Sequence, residues 1–210
     1  MIKILIADDH MIVREGMKQI ISEIPDMTAA DEAVNGHEVL NKALKNDYDV
    51  VVLDITMPSI NGLDVLKQIK AQKPKLPILV LSMHPEEQYA VRAIKAGAAG
   101  YLTKESVSEE LVKAIRTASA GRKYITPSLG EKLAYSLDAD ADKLPHELLS
   151  DREYEVMCMI ASGKTVTEVA EKLFLSEKTI STYRTRILEK MNMKNNAELT
   201  HYAIKQGLVE

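Results

Sequence analysis

The chain has 210 residues, 46% hydrophobic and 28% charged with a formal net charge of −4, and this is enough for one large or two small globular domains. No apolar run approaches the ~18 residues of a membrane span, and Met1–Ala7 is too short for a signal peptide before it meets Asp8 and Asp9. The single cysteine, Cys158, rules out an internal disulfide and lies among Met157, Met159 and Ile160 as a core residue, so a cytoplasmic protein is expected.

Up to about residue 120, short apolar runs alternate with stretches of helical spacing. The runs are Ile4–Ala7, Thr28–Ala33, Val50–Leu53, Ile78–Leu81 and Gly100–Leu102. Between them, Ile12, Met17, Ile20 and Ile21 mark a first helix, and Val39, Leu40, Ala43 and Leu44 a second. Leu63, Leu66 and Ile69 mark a third, Val91 and Ile94 a fourth, and Leu111, Ala114 and Ile115 a fifth. Runs such as Val50–Leu53, apolar on both faces, suit strands covered by helices on each side. Five repeats of this alternation predict a parallel sheet with right-handed crossovers, whose functional groups collect at the carboxyl ends of the strands.

Beyond Ala120-Gly121 the alternation stops. Thr126-Pro127 reads as a cap opening a short helix to about Leu137, and Asp138–Lys143 is acidic, small and without periodic hydrophobes. From about Pro145 the sequence reads as four short helices. The expected division is 1–120, a linker with a short helix over 121–144, and 145–210.

The predicted strand ends carry a constellation: Asp8 and Asp9 end the first, Asp54 the third, Ser82 the fourth, and Lys104 follows the fifth. Carboxylates crowded together repel one another, and a divalent cation with oxygen ligands and open water positions, Mg²⁺ by preference, relieves that repulsion. A carboxylate can also be a nucleophile toward phosphorus. Asp54 is central and takes that role, Asp8 and Asp9 are placed as metal ligands, and Lys104 and the Ser82 hydroxyl can meet phosphoryl oxygens.

In the last third, Ser150 with Glu153 forms a capping box, Gly163 ends that helix, and Thr165–Leu173 supplies a second. Phe174-Leu175-Ser176 makes a turn into a third helix reaching about Met191. A short helix, a tight turn and a longer helix form the helix-turn-helix pattern, whose second helix enters the DNA major groove. Ile180, Tyr183, Ile187, Leu188 and Met191 fall on a core face, and Lys178, Ser181, Thr182 and Thr185 on the opposite one, with Arg184 and Arg186 flanking as phosphate contacts. From His146 to Glu210 nine Lys and Arg meet ten Asp and Glu, so this region is not basic as a whole. Within 176–191, Lys178, Arg184, Arg186 and Lys190 oppose only Glu177 and Glu189. A single copy is expected to bind weakly and a pair on paired half-sites more tightly.

The motifs Asp8-Asp9-His10, Leu53–Pro58 with Gly62, Leu81-Ser82 and Tyr101–Lys104 together resemble the receiver domain of bacterial response regulators. Leu149–Glu153, Ile160–Lys164, Glu168–Ala170, Leu175-Ser176, Lys178–Ile180 and Ala203–Leu208 resemble the LuxR-type DNA-binding domain. The whole chain is thus similar to a NarL/FixJ-type regulator. The resemblance implies a flavodoxin-like α/β receiver with strand order 2-1-3-4-5, the fold also taken by the chemotaxis regulator, followed by a small all-α domain. It also implies phosphorylation of Asp54 by a histidine kinase, and Mg²⁺ on Asp9, Asp54 and the Thr56 carbonyl with Asp8 acting through water. It further implies that Ser82 and Tyr101 move together, and that Thr56 and His84 tune phosphate lifetime. Glu105 stands where proline is frequent after the lysine, and Val166, Ser181 and Tyr183 also depart from the family's usual residues. An aspartate-nucleophile phosphatase of the haloacid-dehalogenase type would need a second Asp at position 56, where Thr56 stands. A regulator that works without phosphorylation is the other alternative.

Overall fold

The computed structural model describes residues 1–57, 60–83, 86–138 and 144–209, which divide into two compact units, Met1–Glu131 and Lys132–Glu210. The first alternates β1 (Ile2–Ala7), α1 (Met11–Ser22), β2 (Met27–Ala33), α2 (Gly36–Lys45), β3 (Val50–Asp54), α3 (Gly62–Gln72), β4 (Ile78–Ser82), α4 (Glu86–Lys95), β5 (Gly100–Thr103) and α5 (Val107–Ser119). All strand pairs are parallel and the order is β2-β1-β3-β4-β5. Every residue of β3 and β4 is buried, as expected for strands covered on both faces. On one face Ile4, Ile6, Val52 and Leu81 pack with Met17, Ile21, Leu111 and Ile115 from α1 and α5. Each such side chain contributes about 1.5–3 kcal/mol of burial.

Two features differ from the sequence reading, both for simple geometric reasons. Ile12 is 86% exposed. The buried stripe of α1 runs through Val13, Met17 and Ile21 at intervals of four, and Ile12 is out of phase with it. The segment after residue 120 also joins the first unit. The Tyr124 N–H donates to the Ala99 carbonyl (2.7 Å), and Tyr124 bridges Gly100 in parallel fashion along β5. A helix, α6 (Pro127–Asp138), follows; the Leu129 N–H donates to the Thr126 hydroxyl (3.2 Å), which makes the cap read from the sequence. Residues 139–143 of the acidic segment lie outside the described residues.

The second unit holds a short 3-10 turn (Pro145–Leu148), then α7 (Asp151–Ala161), α8 (Val166–Leu173), α9 (Glu177–Lys190) and α10 (Asn196–Lys205). Each of the four α-helices begins on a side-chain cap, from Ser150, Thr165, Ser176 and Asn195 in turn. The capping box of α7 forms as read: Ser150 accepts from the Glu153 N–H (3.3 Å), and Glu153 accepts from the Ser150 N–H (2.8 Å). Gly163 takes the left-handed conformation (φ +86°) that ends α7. Val156, Ile160, Val169, Ile180, Ile187, Leu199 and Ala203 form its interior, and Cys158 is buried with them.

Candidate functional site

Strand order and register bring the polar strand ends together. Ala7 pairs with Leu53, Asp54 with Leu81, and Ser82 with Thr103, so Asp8, Asp54, Ser82 and Lys104 emerge along one edge of the sheet. Lys104 is the hub: its Nζ donates to Asp54 Oδ2 (2.8 Å) and lies 2.7 Å from Asp8 Oδ2. The Thr56 N–H donates to Asp54 Oδ1 (3.1 Å), so both oxygens of the Asp54 carboxylate are held in place. The Lys104 N–H donates to the Ser82 carbonyl (2.8 Å), tying β5 to β4 just before the lysine side chain departs. Asp8, Asp54 and Ser82 are all buried. Burial pushes the Asp54 carboxyl up to about 6; Lys104 opposes that rise and the Asp8 charge adds to it. For Lys104 burial acts downward, but Asp54 and Asp8 outweigh it and hold the ammonium above its ordinary value.

In the second unit, α9 presents Lys178, Ser181, Thr182, Thr185 and Arg186 exposed, with Ile180 and Ile187 buried on its other side. The Thr182 and Thr185 hydroxyls donate to the Lys178 and Ser181 carbonyls (2.9 and 3.1 Å), which leaves their oxygens and methyl groups outward for partners. Arg184 is half-buried, and its Nε donates to Asn196 Oδ1 (2.6 Å) at the start of α10. Lys190 donates to Glu153 Oε2 (2.6 Å), so it clasps α9 to the cap of α7, and its charge is partly offset by that carboxylate.

Residues 4–116 match the response regulator receiver domain, and residues 147–203 match the bacterial regulatory proteins of the luxR family. The chain belongs to the two-component response regulators. It is 37% identical to the response regulator UvrY of Escherichia coli K12 over 99% of this chain and 96% of that one. It is 36% identical to the response regulator GacA of Pseudomonas syringae pv. syringae over 100% and 99%. Among solved structures, RcsB from Salmonella enterica serovar Typhimurium, bound to promoter rprA with the phosphomimetic BeF3-, aligns with a TM-score of 0.63. That match is 28% identical and covers 96% of this chain and 98% of the other.

This response regulator therefore joins a receiver to a LuxR-type DNA-binding domain, and its sequence-predicted residues fall into two groups. Asp8, Asp9, Asp54, Ser82 and Lys104 converge at one sheet edge, and Thr56 joins them through its backbone. Tyr101 is fully buried on β5. His84 lies outside the described residues. In the sequence His10 figures only as the third residue of the Asp8-Asp9-His10 motif, with no ligand role, yet its backbone N–H donates to Asp8 Oδ1 (2.8 Å) and its Nδ1 lies 2.7 Å from Asp9 Oδ1. The signal that could have found it is its place next to the paired aspartates. Glu105, at the position where proline is frequent, leads into a turn closed by the Ser106 hydroxyl donating to the Thr103 carbonyl (3.2 Å).

The pocket suits a hard divalent cation on its own chemistry. Ligand atoms of Asp8, Asp9, His10 and Asp54 lie within 4.8 Å of one another. Asp8 Oδ2 and Asp9 Oδ1 are buried oxygens that receive no aligned hydrogen bond among the described residues, although Lys104 and His10 stand close to them. Three carboxylates share the one Lys104 ammonium there, and a divalent cation would offset the negative charge that remains. No helix among the described residues is long and apolar enough to cross a membrane.

Proposed function

We propose that Asp54 accepts a phosphoryl group from a histidine kinase and that the resulting acyl phosphate favours a dimer that binds paired DNA half-sites. The observation that carries this reading is the Lys104 bridge between Asp54 and Asp8, which places a buried cation where phosphoryl charge would arrive. Asp54 attacks phosphorus, the P–O bond forms as the donor's P–N bond breaks, and the leaving imidazole takes up a proton. Lys104 and Ser82 then bind the phosphoryl oxygens. Asp9, Asp54 and the Thr56 carbonyl would hold Mg²⁺, with Asp8 behind a water, and the ion supplies positive charge that offsets the incoming oxygens. Hydrolysis of the acyl phosphate returns free Asp54, so the chemistry is a slow self-modification without turnover of a substrate. A soluble cytoplasmic location, which a kinase partner and DNA both require, belongs to the same reading.

Coupling is tested with the full chain. Beryllofluoride with Mg²⁺ is expected to convert monomer to dimer in light scattering and to tighten binding to a paired-site duplex by about tenfold or more, within the usual range of allosteric coupling. A monomer that binds DNA equally with and without beryllofluoride overturns it.

On DNA, Thr182→Ala is expected to change base preference at one position by about 1–3 kcal/mol. Arg186→Ala is expected to weaken all sequences alike and flatten the salt dependence by about one unit of slope. Arg184→Ala should share that signature, because Asn196 engages only Nε and leaves the terminal nitrogens for a phosphate. Anisotropy titrations across a set of duplexes and salt concentrations check all three, and equal sequence-independent losses from Thr182 and Arg186 would contradict the assigned face.

A further inference from the structure

Two described residues other than glycine adopt the left-handed conformation, Phe174 and Asn192, both at φ +54°. Asn192 is ordinary there, since asparagine tolerates this backbone better than most residues. Phe174 is not. It ends α8, where its N–H donates to the Glu171 carbonyl (3.2 Å) and the Leu175 N–H to the Ala170 carbonyl (2.9 Å). That closure demands the left-handed backbone but makes no demand for an aromatic ring, and glycine or asparagine would close it at lower cost. Nor does the ring recover the cost by burial: Phe174 is 73% exposed, and it is the only phenylalanine of the chain. A strained backbone and a largely exposed ring at one residue both oppose stability.

What adjoins Phe174 identifies the surface it serves. It lies two residues before Ser176, the cap of α9, and four before Lys178, the first residue of the exposed face assigned to DNA. The turn is fixed against α9 by the Thr167 hydroxyl, which donates to Glu177 Oε1 (2.8 Å) from the first turn of α8. The ring is therefore carried on a stiff support beside the end of α9 that enters the groove. An aromatic ring at that place would suit deoxyribose and thymine methyl groups, the apolar surfaces that the rim of the major groove offers.

We propose that Phe174 is a DNA-contacting residue of this regulator, making an apolar contact at the edge of the half-site that α9 reads. The inference rests on α9 being the reading helix. Its signature differs from that of the basic residues, since an uncharged ring displaces no counterions and its loss leaves the salt dependence intact.

The test uses the full-length chain and a labelled duplex selected by the parent protein from a random-sequence pool. Phe174→Asn is expected to raise the melting temperature by a few degrees, because the strain is relieved. The same variant is expected to bind the duplex about tenfold more weakly, on the scale of one mismatched base pair, with an unchanged salt slope. Phe174→Tyr, which keeps the ring, should bind close to the parent. Equal affinity of Phe174→Asn and parent overturns the proposal, and so does a lowered melting temperature, which would mean that the ring is packed. If Phe174→Asn keeps DNA affinity but loses transcription activation in a reconstituted assay, the surface serves a protein partner and the proposal is again overturned. Thr182→Ala run in parallel separates the two levels. If it too leaves affinity and base preference untouched, the reading of α9 fails, whereas a normal Thr182 effect beside an inert Phe174→Asn defeats only the contact proposed for Phe174.

Discussion

Asp54→Ala is expected to abolish phosphorylation. Incubated with acetyl phosphate and Mg²⁺, the parent should gain the mass of one phosphoryl group and Asp54→Ala none, while Asp9→Ala should take it up slowly because it lacks one metal ligand. The expectation follows from position. Asp54 ends the central strand β3, with the Thr56 N–H on one oxygen and Lys104 on the other. Asp8, equally buried, already has Oδ1 committed to the His10 N–H. The variant should remain folded, since removing one of two carboxylates beside a single ammonium relieves repulsion in the absence of a cation. An adduct of the same mass on Asp54→Ala would move the nucleophile elsewhere.

The second large effect is expected from a residue with no side chain. A Cβ built on Gly62 would lie 2.3 Å from the Asp54 carbonyl oxygen and 2.6 Å from Ile55 Cα, both backbone atoms that cannot rotate away. Gly62 sits at the start of α3, where its N–H donates to the Ile55 carbonyl (2.9 Å), so the helix is docked directly on the strand end that carries Asp54. Gly62→Ala should therefore cost at least the ~1–3 kcal/mol typical of overpacking. It should also slow phosphorylation by about 100-fold, the scale expected when a reacting group is displaced by about 1 Å. Gly16 is the internal control. It lies inside α1 with nothing within 4 Å of its virtual Cβ, and Gly16→Ala should stabilise by about 1 kcal/mol through helix propensity alone. Denaturant melts of both variants, with adduct formation followed over time, check the pair. A Gly62→Ala protein as stable and as reactive as the parent would show that the backbone gives way there.

Why some of this is legible in the sequence and some not follows from the range of the interactions. Parallel strands buried on both faces are written as uninterrupted apolar runs, so the residues that break them, Asp8, Asp54, Ser82 and Lys104, mark the strand ends without any knowledge of pairing. Caps are equally local, and Ser150 with Glu153 is readable for that reason. Interactions across the fold leave no local trace. Lys190 reads as a basic residue of the DNA-facing helix, yet its ammonium is engaged by Glu153, 37 residues away in sequence. Arg184 is held in the same way by Asn196, and Tyr124 extends the first unit through a bridge to Gly100 that no periodicity encodes. Ile12 misleads for another reason: it is apolar, but its phase on the helix differs from that of Met17 and Ile21. The strained Phe174 is visible in the sequence only as part of a turn, because a positive φ at an aromatic residue is the opposite of what turn statistics favour.

The residues of the acidic pocket are contributed by the ends of β1, β3 and β4 and by the residue after β5, so no contiguous piece of the chain contains the site. Asp8 waits for Lys104, and the two can meet only after the intervening strands have taken their order in the sheet. During synthesis, a nascent chain that has not yet released residue 104 possesses Asp54 but not the pocket. On the proposed reading, phosphorylation of Asp54 would therefore require a completed receiver, and an unfinished or misassembled copy would stay mute to a kinase without any separate inspection step.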